Sequence, residues 1–114
     1  MSTELVAVAP HATIAEAATV MGTRHVGATL VMDGDRLAGI FTERDILRAL
    51  ASNFDAAEHL VSHWMTENVT TLPPGADASE ALRLMLGGGF RHVPVVDEEL
   101  VVGIVSMRDV APLG

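Results

Sequence analysis

The sequence predicts an α/β fold in which two β-α-β-β-α repeats pack through their sheets about a pseudo-twofold axis. The first observation is an internal repeat: shifted by 64 residues, the chain aligns on itself without a gap, so that Gly39-Ile40 falls on Gly103-Ile104 and Arg44-Asp45 on Arg108-Asp109. The second is that half of a 114-residue chain buries too little surface to be stable alone. We therefore expect the halves to share a core and to form two related clefts.

Composition excludes several classes of protein. Apolar residues make up 49% of the chain and charged residues 19%, as in globular proteins. The absence of Cys excludes disulfides, thiolate metal sites and a Cys nucleophile. The net charge of −8 argues against a nucleic-acid surface, although the seven basic residues are all Arg and suit a local anion pocket. No apolar run is long enough to cross a membrane, and no signal-peptide pattern is present, which fits a cytoplasmic protein.

The first repeat, assigned to residues 1–52, alternates short apolar runs with helix-capping patterns. Thr13 and Glu16 have the spacing of a capping box, and Thr42 precedes a second amphipathic segment. The expected elements are a strand Leu5 to Val8, a helix from Thr13 to about Gly22, strands Ala28 to Met32 and Leu37 to Phe41 around an Asp33-Gly34-Asp35 turn, and a helix to about Ala51 with Ile46, Leu47 and Leu50 inward.

The second repeat, assigned to residues 65–114, follows the same order after a linker helix at 53–64. Pro73-Pro74-Gly75 ends its first apolar run, and Gly87-Gly88-Gly89 ends its first helix. The expected elements are a strand Val69 to Leu72, a helix opened by Asp77 with Ala81, Leu82, Leu84 and Met85 inward, strands Arg91 to Val96 and Leu100 to Val105, and a short helix capped by Ser106.

Three segments of this repeat resemble the cystathionine-β-synthase (CBS) domain family, as a tandem pair or Bateman module. They are Gly39-Ile40-Phe41-Thr42-Glu43-Arg44-Asp45, Gly103-Ile104-Val105-Ser106-Met107-Arg108-Asp109 and Arg91-His92-Val93-Pro94-Val95-Val96-Asp97. The resemblance implies regulation instead of catalysis, through adenosine-containing ligands such as AMP, ADP, ATP or S-adenosylmethionine. It also implies a homodimer, and no tightly bound cofactor is expected.

The Gly-x-x-Thr/Ser-x-x-Asp segments supply the main candidate ligand residues. Thr42 and Ser106 precede helix N-termini, where backbone N–H groups favour phosphate. Three residues later, Asp45 and Asp109 could accept hydrogen bonds from both ribose hydroxyls, which is the role of the matching Asp in the family. The same spacing also fits variant capping boxes, and one sequence does not separate these readings.

Residues 91–94 supply the second group of candidate ligand residues, because the resemblance places the positions before Pro94 along the ligand cleft. Strand alternation puts Arg91 and Val93 on one face and His92 and Pro94 on the other, so that Arg91 or His92 could meet a phosphate. The alternative is an edge strand with Arg91 in solvent. The first repeat has Gly27-Ala28-Thr29-Leu30 here, which favours the second repeat as the phosphate site.

Two further patterns have both a functional and a structural interpretation. Arg108, like Arg44 in the first repeat, could neutralise phosphate or pair with a surface carboxylate. His59 and His63 have an i, i+4 spacing that suits one metal ion, but no third ligand is fixed, and a solvated helix face is the favoured interpretation. We therefore expect no metal site.

The function predicted from the sequence is ligand-responsive regulation by an adenosine nucleotide bound in an inter-repeat cleft. The signal would pass to an unidentified effector protein in trans, by a shift between conformational states. The alternative is a constitutive dimerisation module without a physiological small ligand. No nucleophile or paired carboxylates support catalysis.

Overall fold

The computed structural model describes residues 5–110, which form two compact units. One unit is Val6–Asn68, and the other contains residues 69–110 together with Leu5. The strands are β1 (Ala7–Val8), β2 (Ala28–Asp33), β3 (Arg36–Thr42), β4 (His92–Asp97) and β5 (Leu100–Ser106). The helices are α1 (Ile14–Arg24), α2 (Glu43–Ser52), α3 (Ala78–Gly88) and α4 (Met107–Val110), with 3-10 helices at Phe54–Glu58 and Val61–His63.

The first unit is a three-stranded sheet with α1 and α2 packed against it. β2 pairs in parallel with β1 and antiparallel with β3, with Leu30 opposite Ile40. The predicted capping box forms at the start of α1, where Glu16 N–H donates to Thr13 Oγ1 at 3.1 Å. Apolar side chains from every element meet in one core, which includes Ile14, Ala17, Met21, Val31, Phe41, Ala49, Ala56 and Val61. The strands and helices of the first repeat are thus confirmed.

The second unit repeats this hairpin in the same register. Pro94 lies opposite Ile104, and the β4–β5 ladder is irregular between Val95 and Val96, as the β2–β3 ladder is at the equivalent positions. Gly89 ends α3 in the left-handed conformation at φ 73°, as the glycine run predicts. The core cluster contains Leu72, Ala81, Met85 and Val93. The duplication seen in the sequence therefore extends to backbone irregularities.

The predicted strand from Val69 to Leu72 is reduced to one bridge. Leu72 alone pairs with Val95: its N–H donates to Pro94 O at 3.0 Å, and its carbonyl accepts from Val96 N–H at 2.9 Å. Pro73 and Pro74 follow at once, and because proline has no N–H, the ladder cannot extend past Leu72; the structure shows no cause for the unpaired residues 69–71.

The predicted single linker helix is wrong: the segment forms two 3-10 helices separated by extended backbone at His59 and Leu60. The cause is backbone pairing with the start of α1, because Ile14 N–H donates to His59 O at 2.9 Å and Val61 N–H donates to Ala12 O at 2.8 Å. Ala56 and Val61 enter the first unit's core. The segment is therefore part of that unit's packing.

The predicted inward face of α2 is also partly wrong. Asp45 and Ala49 are the buried residues and Ile46 is half-buried, but Leu47 and Leu50 are 69% and 45% exposed. The buried arc follows the i, i+4 pair of Asp45 and Ala49, and the leucines lie to one side of it.

Candidate functional site

In the first unit the candidate residues lie where β3 meets α2. Thr42 is the N-cap of α2 and lies opposite Ala28 in the hairpin. Asp45 closes a capping box: its Oδ2 accepts from Thr42 N–H at 2.9 Å and from Thr42 Oγ1 at 3.1 Å. Its Oδ1 accepts from Arg48 at 2.8 Å, and the residue is only 4% exposed. Asp45 therefore has a structural role at this helix start.

In the second unit the equivalent residues lie where β5 meets α4. Ser106 lies opposite His92, and its N–H donates to Asp109 Oδ2 at 2.9 Å. Met107 N–H donates to Arg91 O at 2.7 Å, which joins the helix start to the residue before β4. The geometry thus gathers Arg91, His92, Ser106, Arg108 and Asp109 at one end of this hairpin.

Asp109 and Asp45 differ in their surroundings, although they occupy the same repeat position. Asp109 is exposed. The Ser106 N–H that donates to its carboxylate lowers the pKa of Asp109 below its ordinary value of 3.8, so that the charged form prevails. An exposed, ionised carboxylate at this position is able to accept hydrogen bonds from a ligand's hydroxyl groups.

The four residues at 91–94 have different environments. Arg91 is exposed and His92 is half-buried. Val93 is 0% exposed and packs in the core cluster, and Pro94 is also fully buried. The Arg91 and His92 side chains are therefore the accessible ones. Val93 and Pro94 were also expected to contact the ligand; both side chains are buried, and their contact with a ligand stays a prediction.

One residue near the site, Arg48, was missed at the sequence level. It bonds Asp45, and its guanidinium carbon lies 5.7 Å from the centre of the Trp64 ring. The i, i+3 spacing of Asp45 and Arg48 on a predicted helix was the available signal. Arg44 and Arg108 are exposed at the starts of their helices.

Of the two linker histidines, His59 contacts Trp64. The Nδ1 of His59 accepts a hydrogen bond from Trp64 Nε1 at 3.3 Å, and the two rings stack at 6.4 Å. Within the described part of the chain, no group of three or more His, Cys, Asp or Glu side chains is placed to hold a metal ion.

In residues 5–110, no helix has the length and apolar character needed to cross a bilayer.

The sequence family of the CBS domain matches this chain twice, at residues 1–52 and 61–112. One curated relative is an uncharacterized 17.7 kDa protein of Acidianus ambivalens, 41% identical over 112 residues, which cover 96% of this chain and 67% of the relative. Among solved structures, the CBS-domain protein ATU1752 of Agrobacterium tumefaciens aligns with a TM-score of 0.91 and 37% identity, over 95% of this chain and 82% of that one.

Two further solved structures contain ligands. The CBS domain protein PAE2072 of Pyrobaculum aerophilum is complexed with AMP; it has a TM-score of 0.89 and 28% identity, over 97% of this chain and 86% of that one. The CBS domain pair of protein MJ0100 is in complex with 5′-methylthioadenosine and S-adenosylmethionine, with a TM-score of 0.89 and 29% identity over 97% and 88% of the chains. The chain therefore belongs to the CBS domain family, as a tandem pair or Bateman module.

Proposed function

We propose that this chain is a regulatory module that senses an adenosine-containing nucleotide, with its working site at the hairpin end of the second unit. The observation that carries the proposal is the grouping of Arg91, His92, Arg108 and the ionised Asp109 around Ser106. The AMP and S-adenosylmethionine complexes of similar CBS pairs support the ligand class.

Each part of a nucleotide would meet a matching group in this arrangement. Asp109 accepts hydrogen bonds from the ribose hydroxyls, because it is exposed and its charged form is favoured. Arg91 and Arg108 offer guanidinium groups to the phosphate, which they can bind through two parallel hydrogen bonds. The Ser106 hydroxyl hydrogen-bonds Asp109 and holds its carboxylate in place, and His92 adds a further polar group beside it. Placement of the ligand between the repeats stays a prediction from the sequence.

The output of the module would be a shift between conformational states. A ligand biases such an equilibrium only by its difference in affinity for the two states. We propose that the biased state acts on an effector protein, and that the module works as a homodimer.

Calorimetric titration with AMP, ADP, ATP, S-adenosylmethionine and NAD tests the proposal. Saturable micromolar binding of one of these ligands is expected, and Asp109→Asn should weaken it about tenfold or more, because a charge-assisted hydrogen bond is lost. Asp97→Asn is the matched control, since Asp97 is an exposed carboxylate at the other end of β4. Heat from none of the ligands, or equal effects of both variants, would refute the proposal.

A second candidate function is a constitutive interaction module. The observation that favours it is the exposed apolar group of Leu47, Leu50 and the 99% exposed Phe54. This hypothesis predicts a dimer that Leu47→Glu dissociates and that nucleotide does not affect, with Leu100→Glu, at another exposed leucine, as the control. Sedimentation equilibrium with and without AMP separates it from the nucleotide sensor.

A further inference from the structure

The carboxylate of Asp45 accepts three hydrogen bonds from the protein itself. One oxygen accepts from the backbone and hydroxyl of Thr42, and the other accepts from Arg48 at 2.8 Å. The side chain of Asp45 is 6% exposed, whereas that of Arg48 is 58% exposed. A ribose could therefore reach Asp45 only if Arg48 moved away first.

Arg48 is held in place from a second direction by Trp64. Its guanidinium carbon lies 5.7 Å from the centre of the indole ring, within the range of a cation–π contact. The indole is itself fixed, because its Nε1 donates to His59 Nδ1 at 3.3 Å and the two rings stack with 16° between their planes. Arg48 thus links the start of α2 to the segment that follows the first repeat.

The sequence of the second repeat lacks the arginine of this arrangement. The position equivalent to Arg48 is Pro112, which has no guanidinium group, and Asp109 is exposed. The surface charge beside the two aspartates also differs. In the first repeat, the carboxylate of Glu43 lies beside Gly27, 3.1 Å from the place where a Cβ of that residue would be. In the second repeat, the residues equivalent to Gly27 and Glu43 are Arg91 and Met107. Because Arg44 and Arg108 occupy equivalent positions, the difference between the repeats is that a phosphate would meet Glu43 in the first and Arg91 in the second.

We propose that Arg48 is a positioning residue that closes the first repeat to nucleotides, by holding Asp45 in the capping box with the support of Trp64. This inference rests on the proposed nucleotide-sensing function and adds a stoichiometry to it. Each chain binds one nucleotide, at Asp109, and the aspartate of the first repeat serves stability alone.

The test is to remove the guanidinium group and count binding sites by calorimetry. Arg48→Met keeps the aliphatic stem of the side chain, and Arg36→Met is the control, because it removes the same charge from the far end of β3. Adenosine is the probe for the first repeat, since it has no phosphate for Glu43 to repel, and AMP is titrated in parallel. The wild type and Arg36→Met should bind one ligand per chain. Arg48→Met should bind a second adenosine, and Arg48→Lys, which keeps the positive charge, should restore a single site.

The emission of Trp64 checks the arrangement without ligand, because it is the only tryptophan of the chain. Asp45→Asn removes the charge that Arg48 pairs with and should shift the Trp64 emission. Arg48→Met should also shift the emission, whereas Arg36→Met should leave it unchanged. Two adenosine sites in the wild type, a single site in Arg48→Met, or unchanged emission in Asp45→Asn would refute this inference alone. Absence of binding of AMP, ADP, ATP, S-adenosylmethionine and NAD to every variant would refute the proposed function and this inference together.

Discussion

Replacing the two equivalent aspartates by alanine should separate stability from binding. Asp45 is 4% exposed and accepts three hydrogen bonds, whereas Asp109 is exposed and is bonded by Ser106, whose backbone N–H donates to it at 2.9 Å. We therefore expect Asp45→Ala to destabilise the fold without weakening nucleotide binding. Asp109→Ala should have the opposite pattern.

The size of the Asp45 effect follows from its backbone hydrogen bond, its position at a helix N-terminus and its ion pair. The charge-assisted hydrogen bond from Thr42 N–H contributes about 1.5 kcal/mol. The favourable position of a negative charge at a helix N-terminus adds roughly 0.5 kcal/mol. The ion pair with Arg48 adds less than about 0.5 kcal/mol, because solvent screens a guanidinium that is 58% exposed. The loss for Asp45→Ala is then about 2 kcal/mol, which corresponds to a Tm decrease of roughly 8 °C.

Urea unfolding followed by circular dichroism, with AMP titrations of the same samples, measures both quantities. Asp109→Ala should lower the free energy of unfolding by about 0.5–1 kcal/mol, less than Asp45→Ala because solvent competes for its exposed hydrogen bond, and should weaken AMP binding about tenfold or more. Equal destabilisation by the two variants would refute the reasoning. A larger loss of AMP affinity in Asp45→Ala than in Asp109→Ala would also refute it.

Three further predictions concern the core, a close backbone approach and pH. Phe41→Ala removes a side chain that is 0% exposed and should lower the free energy of unfolding by about 3–5 kcal/mol, measured in urea. Phe54→Ala, at a 99% exposed residue, should change that free energy little, and equal effects of the two variants would contradict the core assignment. Gly39→Ala should cost about 1–3 kcal/mol, because its Cβ would lie 2.7 Å from both Met65 Sδ and Thr66 O; stability at the wild-type level would contradict that packing. For Asp109, an NMR titration of the carboxyl carbon should give a midpoint below 3.8, because the folded-state pKa is depressed by the Ser106 N–H. The contribution of Asp109 to stability is then present above the unfolded-state pKa and is lost as the pH falls through the lowered value; a midpoint above 3.8 would contradict the hydrogen bond.

The sequence was sufficient to predict the parts of the fold that depend on local chemistry. The capping boxes at Thr13 and Thr42 and the stop at Gly89 follow from residue types at fixed spacings, and each is present in the structure. The duplicated hairpins follow from apolar runs with a turn between them.

The parts that were not predicted depend on contacts between distant segments. His59 and Leu60 leave the helical conformation because residues 12–14 provide backbone partners, which no local pattern indicates. Leu47 is exposed because the burial of Asp45 sets the inward arc of α2. The sequence also assigned Asp45 and Asp109 the same ribose-binding role, because it does not show the contacts of Asp45 with Arg48 and of Arg48 with Trp64.

A crystal structure of the chain with AMP would test the central claim most directly. We expect one AMP per chain, with its ribose hydroxyls within hydrogen-bond distance of Asp109, its phosphate near Arg91 or Arg108, and the Asp45–Arg48 pair intact. AMP bound at Asp45, or a ribose that does not contact Asp109, would contradict the account.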